Sequence, residues 1–248
     1  YLKQDSGCVS YVVERDGRTL FVKGARTKAA AASLRRAEAV HAAVRDNAFP
    51  PLRNAFRTPE GPVHVYAWVP GEVLYDYVRM NGEAGRRDPA SAHARFRALP
   101  VERILASLDV VFALHERIAE AGFVAVDFYD GCILYDFVSH RTWVCDLDEY
   151  RPGPFRLREH RLPGSRRFMA PEESMRGATI AQRTNVYTLA RAAAILLSDG
   201  DENSAAWRGT ERMRDVVRRA TAHGGEQRFP TVGAFLAAWR AARRQPPT

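Results

Sequence analysis

Lysine is nearly missing from this chain: of its 37 basic residues only Lys3, Lys23 and Lys28 are lysines, and the rest are arginines. That usage points to a GC-rich bacterial genome rather than to a function. Cysteine is scarce too. Cys8, Cys132 and Cys145 form no Cys-x-x-Cys pair and are too few for a disulfide framework. No apolar run approaches the roughly 18 residues that a membrane span needs. No basic–apolar–small signal opens the chain. A soluble cytoplasmic protein without a membrane partner is therefore expected. Because the chain begins at Tyr1 rather than Met, some native N-terminus is expected to precede it.

What is present is ordinary globular material, 46% hydrophobic and 27% charged, which excludes disorder, collagen and coiled coil. A chain of 248 residues buries a full core, as one large domain or as two lobes sharing a cleft. Basic residues exceed the 29 acidic ones and leave a net charge of +8. Such an excess suits nucleic acid or an acidic partner. The arginines are scattered over helix faces with no aromatic-interleaved stripe, so nucleic acid is not the expected partner.

The first seventy residues read as strands around one helix. Val9–Val13 and Thr19–Val22 are β-branched or aromatic runs separated by Asp16-Gly17, a hairpin signal. Thr27 can cap an Ala-rich helix running to about Asp46, with Leu34, Ala37, Val40 and Val44 on its apolar side. Short strands near Leu52–Phe56 and Val63–Tyr66 follow, joined by Thr58-Pro59-Glu60-Gly61. Val69-Pro70-Gly71 then breaks the pattern and marks a boundary. Beyond it, Pro100–Ala121 is an amphipathic helix closed by Gly122. Two strand-like runs, Cys132–Tyr135 and Thr142–Cys145, flank a polar turn, and helices are predicted at 182–198, 204–222 and 231–243. The polar stretch 80–99 reads as a surface insertion.

Several residues could carry chemistry. Lys23 ends an apolar strand, where a lysine often does no more than snorkel to solvent. Glu38, four residues after Leu34, shares the inward edge of the following helix in this reading. A Lys23–Glu38 pair could hold an ammonium against a phosphate oxygen. Asp127 and Asp146 flank the predicted hairpin next to apolar residues, a setting that brings carboxylates to a cleft edge. There one can orient a hydroxyl and the other bind a hard divalent cation. Asp130 and Asp136 read as turn caps. Cys132 and Cys145 are expected near each other as buried small hydrophobes.

The order Lys23, Glu38, Asp127, Asp146 and Ala170-Pro171-Glu172 resembles the protein kinase fold over nearly the whole chain. Phe168–Glu173 looks like the end of an activation segment. Asn185–Leu189 is similar to the start of the central large-lobe helix. Gln227–Thr231 with Phe235 and Trp239 looks like the family's last helix and the arginine before it. The resemblance implies an α+β, two-lobed protein kinase-like fold, with a small antiparallel-sheet N-lobe over 1–69 and a helical C-lobe over 70–248. ATP and Mg²⁺, or Mn²⁺, would lie between them. Lys23 would hold the α- and β-phosphates and pair with Glu38. Asp127 would orient or accept the proton of the acceptor hydroxyl, and Asp146 would bind the metal. Backbone groups of Ala67 and Val69 would meet the adenine, with Tyr66 behind it. Glu172 and Arg228 would form a structural ion pair.

The departures from the family pattern are specific. In place of a glycine-rich phosphate loop stands Ser6-Gly7-Cys8-Val9-Ser10, resembling the serine-bearing loop of aminoglycoside phosphotransferase-type kinases. Ser6, Gly7 and Ser10 are its nucleotide-binding candidates. Ala125-Val126 replaces the His-Arg before the catalytic aspartate, which removes a partner for a phosphorylated loop. Cys132 falls where the family keeps a metal-binding Asn and is a poor ligand for Mg²⁺. Asp146-Leu147-Asp148 replaces Asp-Phe-Gly, and Asp148 can stand in as a second metal ligand. A lysine clamp, one metal and a positioned aspartate remain, so a slow enzyme of the bacterial Ser/Thr kinase type is expected. Ser165, in Gly164–Phe168, occupies the position of a peptide-docking threonine. Six arginines over 151–167 suit an acidic or phosphorylated acceptor. An unidentified protein is the expected acceptor, with a small-molecule acceptor left open; a small-molecule kinase and a non-catalytic pseudokinase scaffold are the alternatives.

Overall fold

A computed structural model describes residues 7–76 and 82–244. The chain opens with a hairpin of β1 (Cys8–Arg15) and β2 (Arg18–Ala25), antiparallel from Cys8↔Ala25 to Arg15↔Arg18. Asp16 and Gly17 turn it with φ of 51° and 70°. Two successive positive φ values match the twist of the flanking strands, which is why Asp-Gly suits the turn. Thr27 then caps α1 (Lys28–Ala43), its Oγ1 accepting from the Ala30 amide at 3.0 Å. Ala30, Ser33, Leu34, Ala37 and Val40 recur on one face of α1 and are buried. A second hairpin, β3 (Leu52–Thr58) and β4 (Gly61–Ala67), completes an antiparallel sheet of order β1-β2-β4-β3, with α1 packed on it.

From residue 71 onward helices dominate. A strand pair β6 (Phe123–Val124) and β9 (Arg151–Pro152) follows α4 (Val101–Glu120), whose Ile104, Leu108, Val111, Phe112 and Leu114 are fully buried. Gly122, at φ +84°, ends the helix in the left-handed region that glycine adopts freely. The hairpin of β7 (Ile133–Tyr135) and β8 (Thr142–Val144) takes β5 (Glu72–Val73) on its β7 edge. β10 (Phe155–Arg156) pairs with β11 (Thr179–Ile180). The remaining helices are α5 (Gln182–Leu197), α6 (Glu211–Ala220) and α7 (Val232–Arg244). Phe112 meets Phe235 and Trp239 of α7 edge-on at 5.1 and 5.3 Å.

The architecture is thus mixed α+β with small antiparallel sheets. Its two parts share one core, because Ala37, Val40, Val44, Ala48 and Phe49 pack into the same apolar cluster as α4 and α5. No helix among the described residues is long and apolar enough to cross a membrane.

Two expectations need correction. The stretch 80–99 is not merely surface. It forms α2 (Gly82–Arg87) and α3 (Ala92–Arg97), with Phe96 fully buried edge-on against Tyr135 at 4.8 Å and Arg86 and His93 buried beside Asp130. One aromatic and a buried carboxylate partner anchor a segment whose composition is polar. The helix expected from 204 begins only at Glu211. Asp199, Asp201 and Ser204 hold the preceding turns, and Thr210 caps the helix by accepting from Met213.

Candidate functional site

The β7–β8 hairpin builds the site. At its open end the Cys145 amide donates to Cys132 O at 2.9 Å, which sets the segment around Asp127 beside the segment around Asp146. Both aspartates are left-handed, at φ 63° and 62°. Asp tolerates that region better than most residues, and outliers of this kind collect at functional sites. Behind Asp127 the Ala125 peptide is gripped from both sides: its amide donates to Asn185 Oδ1 at 2.9 Å, and its carbonyl accepts from Asn185 Nδ2 at 2.7 Å. Phe128 packs edge-on against His115. His115 bonds Val111 O through Nδ1 at 2.7 Å and Tyr150 OH through Nε2 at 2.8 Å, and burial lowers its pKa to about 4. A neutral ring donating to the carbonyl and accepting from the phenol satisfies both contacts.

Lys23 reaches across to this hairpin. Its Nζ lies 2.8 Å from Asp146 Oδ1 and 2.5 Å from Asp148 Oδ2. Burial opposes the ammonium, but the two carboxylates outweigh it and raise its pKa well above the usual value. Asp148 is pushed up by its own burial and by Asp146, with Lys23 opposing. Of the two carboxylates around the ammonium only that of Asp146 reaches solvent, its side chain being 46% exposed, while Asp148 is buried. Asp127 stands in the same field. Burial first, then Asp146, Glu149 and Asp148, raise its pKa to about 7, against Lys23.

The other predicted residues fall as follows. Ser6 lies outside the described residues. Gly7 precedes β1 at φ +71°, and a Cβ there would stand 2.7 Å from Thr27 Oγ1, so the position is closed to larger residues. Ser10 is fully buried opposite Lys23 in the β1–β2 ladder. Val69 makes no hydrogen bond among the described residues, whereas the Ala67 amide is engaged by Pro51 O at 2.9 Å. Tyr66 is raised in pKa by burial and by Asp148, which places it near the same carboxylates.

The expected Lys23–Glu38 pair is not formed. Glu38 is half exposed and stands 4.0 Å from His64 Nε2. The inward face of α1 runs through Ser33, Leu34, Ala37 and Val40, so Glu38 lies one residue, about 100° of helix, past it. The contacts from α1 to the hairpin come instead from Ser33, which donates to Glu149 at 2.9 Å, and Arg36, which donates to Asp148 O at 2.8 Å and pairs with Glu149 at 2.5 Å.

Asp136 is a turn cap, accepting from the Val138 amide and the Ser139 hydroxyl. Asp130 is not. It is fully buried, 2.8 Å from Arg167 and 3.7 Å from both Arg86 and His93. Cys132 is fully buried with Sγ 3.3 Å from Asp127 O, and burial holds its thiol well above the usual pKa, so it offers no thiolate. Cys145, beside it across the hairpin, is raised to about 12 by burial and by Asp146. The carboxylate open to a hard cation is therefore that of Asp146, with the buried Asp148 beside it on the other side of Lys23. A pair of carboxylates suits Mg²⁺, which takes one or two of them together with phosphate and water.

The roles of Glu173, Asn185 and Asp130 carry no local signature along the chain. Glu173 lines a tight recess with Asp127, Gly164, Ser165 and Thr188, and its carboxylate accepts from the Ala170 amide at 2.6 Å. The available signal was a second glutamate directly after Ala-Pro-Glu. Nothing local distinguishes it from a surface residue. Burial raises its pKa to about 8, against the hydrogen bond from Ala170. A carboxyl raised on folding contributes stability that is complete below its unfolded pKa near 4.3 and lost as pH climbs through 8. Calorimetry from pH 6 to 9 should show this loss, on the order of 2 kcal/mol. Glu173→Gln, which keeps the acceptor, should flatten that part of the profile. An unchanged profile would reject the assignment.

Comparison with protein-family models gives no match, and comparison with curated proteins gives none either.

Proposed function

We propose that the chain is an ATP-dependent phosphotransferase of the protein kinase-like type, with the sheet part up to residue 69 and the helical remainder as its two lobes. The observation that carries this reading is the convergence of Lys23, Asp146 and Asp148 within 2.8 Å, with Asp127 in the same electrostatic field. Lys23 and Asp148 are 125 positions apart in sequence, and the two carboxylates meet around the one ammonium. Lys23 is the cation that would hold phosphate oxygens once released from the carboxylates. Asp146 and Asp148 are the pair that would hold Mg²⁺, which when bound supplies charge neutralisation for the transferred phosphoryl group. Asp127, with a pKa near 7, is poised to orient an acceptor hydroxyl and take its proton. The Val69 backbone offers an adenine edge its open donor and acceptor. Ser165, in the same recess as Asp127, supports a protein acceptor over a metabolite.

Cys132 favours a second reading. Its buried thiol replaces a metal-binding Asn, so a scaffold that binds nucleotide without turnover is the rival. Thermal unfolding with ATP and Mg²⁺, Mn²⁺ or chelator tests both. Nucleotide at a hundred times its dissociation constant adds about 2.7 kcal/mol, a rise of roughly 5–10 °C. The expected result is a metal-dependent rise lost in Asp146→Asn. No rise with any metal rejects the nucleotide site, and a rise without turnover on any acceptor selects the scaffold.

A further inference from the structure

A second cleft, remote in character from the carboxylate site, opens where the segment between α1 and β3 meets α4 and the β7–β8 turn. It has a volume of about 230 Å³ and is lined by Asn47, Ala48, Ala106, Ser107, Val110, His140, Arg141 and Thr142. That exceeds the roughly 150 Å³ that accommodates a benzene ring. Ala48, Ala106 and Val110 give it apolar wall. Of its polar lining residues, Asn47, Ser107, His140 and Thr142 can each donate or accept, and Arg141 alone offers only donors.

Inside, Thr142 Oγ1 and Ser107 Oγ are 2.8 Å apart, and both residues are at least nine-tenths buried. These two hydroxyls make one hydrogen bond between them and no other among the described residues. Whichever donates, one hydroxyl hydrogen is left without an acceptor, an arrangement that buried polar groups ordinarily avoid. At the rim, the Arg141 guanidinium lies over Trp143, 3.8 Å from the ring centre, and donates to Asn47 O at 3.0 Å. It pairs with no carboxylate among the described residues, and most of its five N–H groups remain to be used. His140 is held through Nδ1 by Tyr135 OH at 2.9 Å, and its Nε2 makes no hydrogen bond within the described residues. Stacking on Trp143 and the bond to Asn47 fix the guanidinium in place before any ligand arrives, which lowers the entropic cost of using it.

We propose that this cleft binds a small organic carboxylate with a compact apolar body. The carboxylate would take hydrogen bonds from Arg141 and from the unspent Ser107–Thr142 hydroxyl hydrogen, and the apolar body would lie against Ala48, Ala106 and Val110. An anion answers the Arg141 guanidinium, which no carboxylate pairs among the described residues. A neutral polar molecule leaves the charge unanswered, and a purely apolar one leaves the hydroxyl hydrogen buried without an acceptor. The inference does not depend on the phosphotransferase reading.

Benzoate is the probe, followed by ligand-observed NMR on the full chain, with benzamide as the neutral isostere. Benzoate should bind at millimolar concentration or tighter, and benzamide roughly tenfold or more weakly. Arg141→Met, which keeps an unbranched stem over Trp143, should weaken benzoate by a similar factor. Ala106→Trp, at an exposed helix position, should fill the cleft and abolish binding with the unfolding midpoint kept. Absence of benzoate binding to the wild type would overturn the proposal. So would binding that survives Ala106→Trp, which places the probe elsewhere, or equal binding of benzamide, which removes the carboxylate assignment.

Discussion

Replacing Arg228 by alanine is expected to destabilise the protein by about 3–5 kcal/mol, because it strands the partly buried Glu172 carboxylate and several carbonyls. At 2–4 °C per kcal/mol the unfolding midpoint should fall by roughly 6–20 °C. The Arg228 side chain is fully buried, and all five of its N–H groups are engaged. Nη1 and Nη2 form a fork on Glu172 at 2.7 and 3.1 Å. Nε donates to Ala222 O, Nη1 also to Arg183 O, and Nη2 also to His223 O. The guanidinium ties the Ala-Pro-Glu turn to the start of α5 and to the segment after α6. Lysine at this position should recover little, since a point charge with three rotating donors cannot reproduce a planar fork. Calorimetry of Arg228→Ala and Arg228→Lys measures the effect, and a loss below about 1 kcal/mol, the worth of an ordinary surface pair, would show that the fork is not structural.

Under the proposed function, Asp127→Asn should reduce phosphoryl transfer by about 10²–10⁴-fold while leaving the fold intact. The amide is isosteric, and it removes a partly buried carboxyl that feels the charges of Asp146, Glu149 and Asp148. Two signs follow from a carboxyl raised to about 7. Wild-type turnover should climb as pH rises through 7, because the proton acceptor is the ionised form. Its contribution to stability runs the other way: complete below the unfolded pKa near 3.9, lost as pH rises through 7, and absent from the variant. Rates and melting curves on both proteins across pH 5.5–8.5 test this. Equal rates in the two proteins would remove Asp127 from the chemistry.

Much of the frame was legible along the chain. Thr27 before an alanine run, Asp16-Gly17 between β-branched runs, and Gly122 closing a seven-residue apolar pattern each act through neighbours within about four residues, and each element stands where its signals placed it. The Glu172–Arg228 pair was also anticipated, although only through the resemblance and not from anything local. The partner of Lys23 was not legible. Helical spacing assigned Glu38 to the inward edge by counting from Leu34, but a step of one residue moves a side chain by about 100°, and Ala37 took the inward place. Asp130 shows the same limit. A carboxylate after a hairpin signal reads as a turn cap until Arg86, His93 and Arg167, from three distant segments, are seen around it.

By itself, then, the sequence determined the two N-terminal hairpins, α1, α4 and their caps and turns, and which residue types were on offer, but not α2, α3 or the start of α6. Those properties depend on propensity and periodicity over short windows. The tertiary structure alone decided which charges meet: Lys23 with Asp146 and Asp148, Asn185 with the Ala125 peptide, Glu173 against Asp127, and Arg141 with no carboxylate among the described residues. Pairing of that kind is set by electrostatics and burial acting across a hundred residues of chain, over distances of about 3 Å, and no local pattern encodes it.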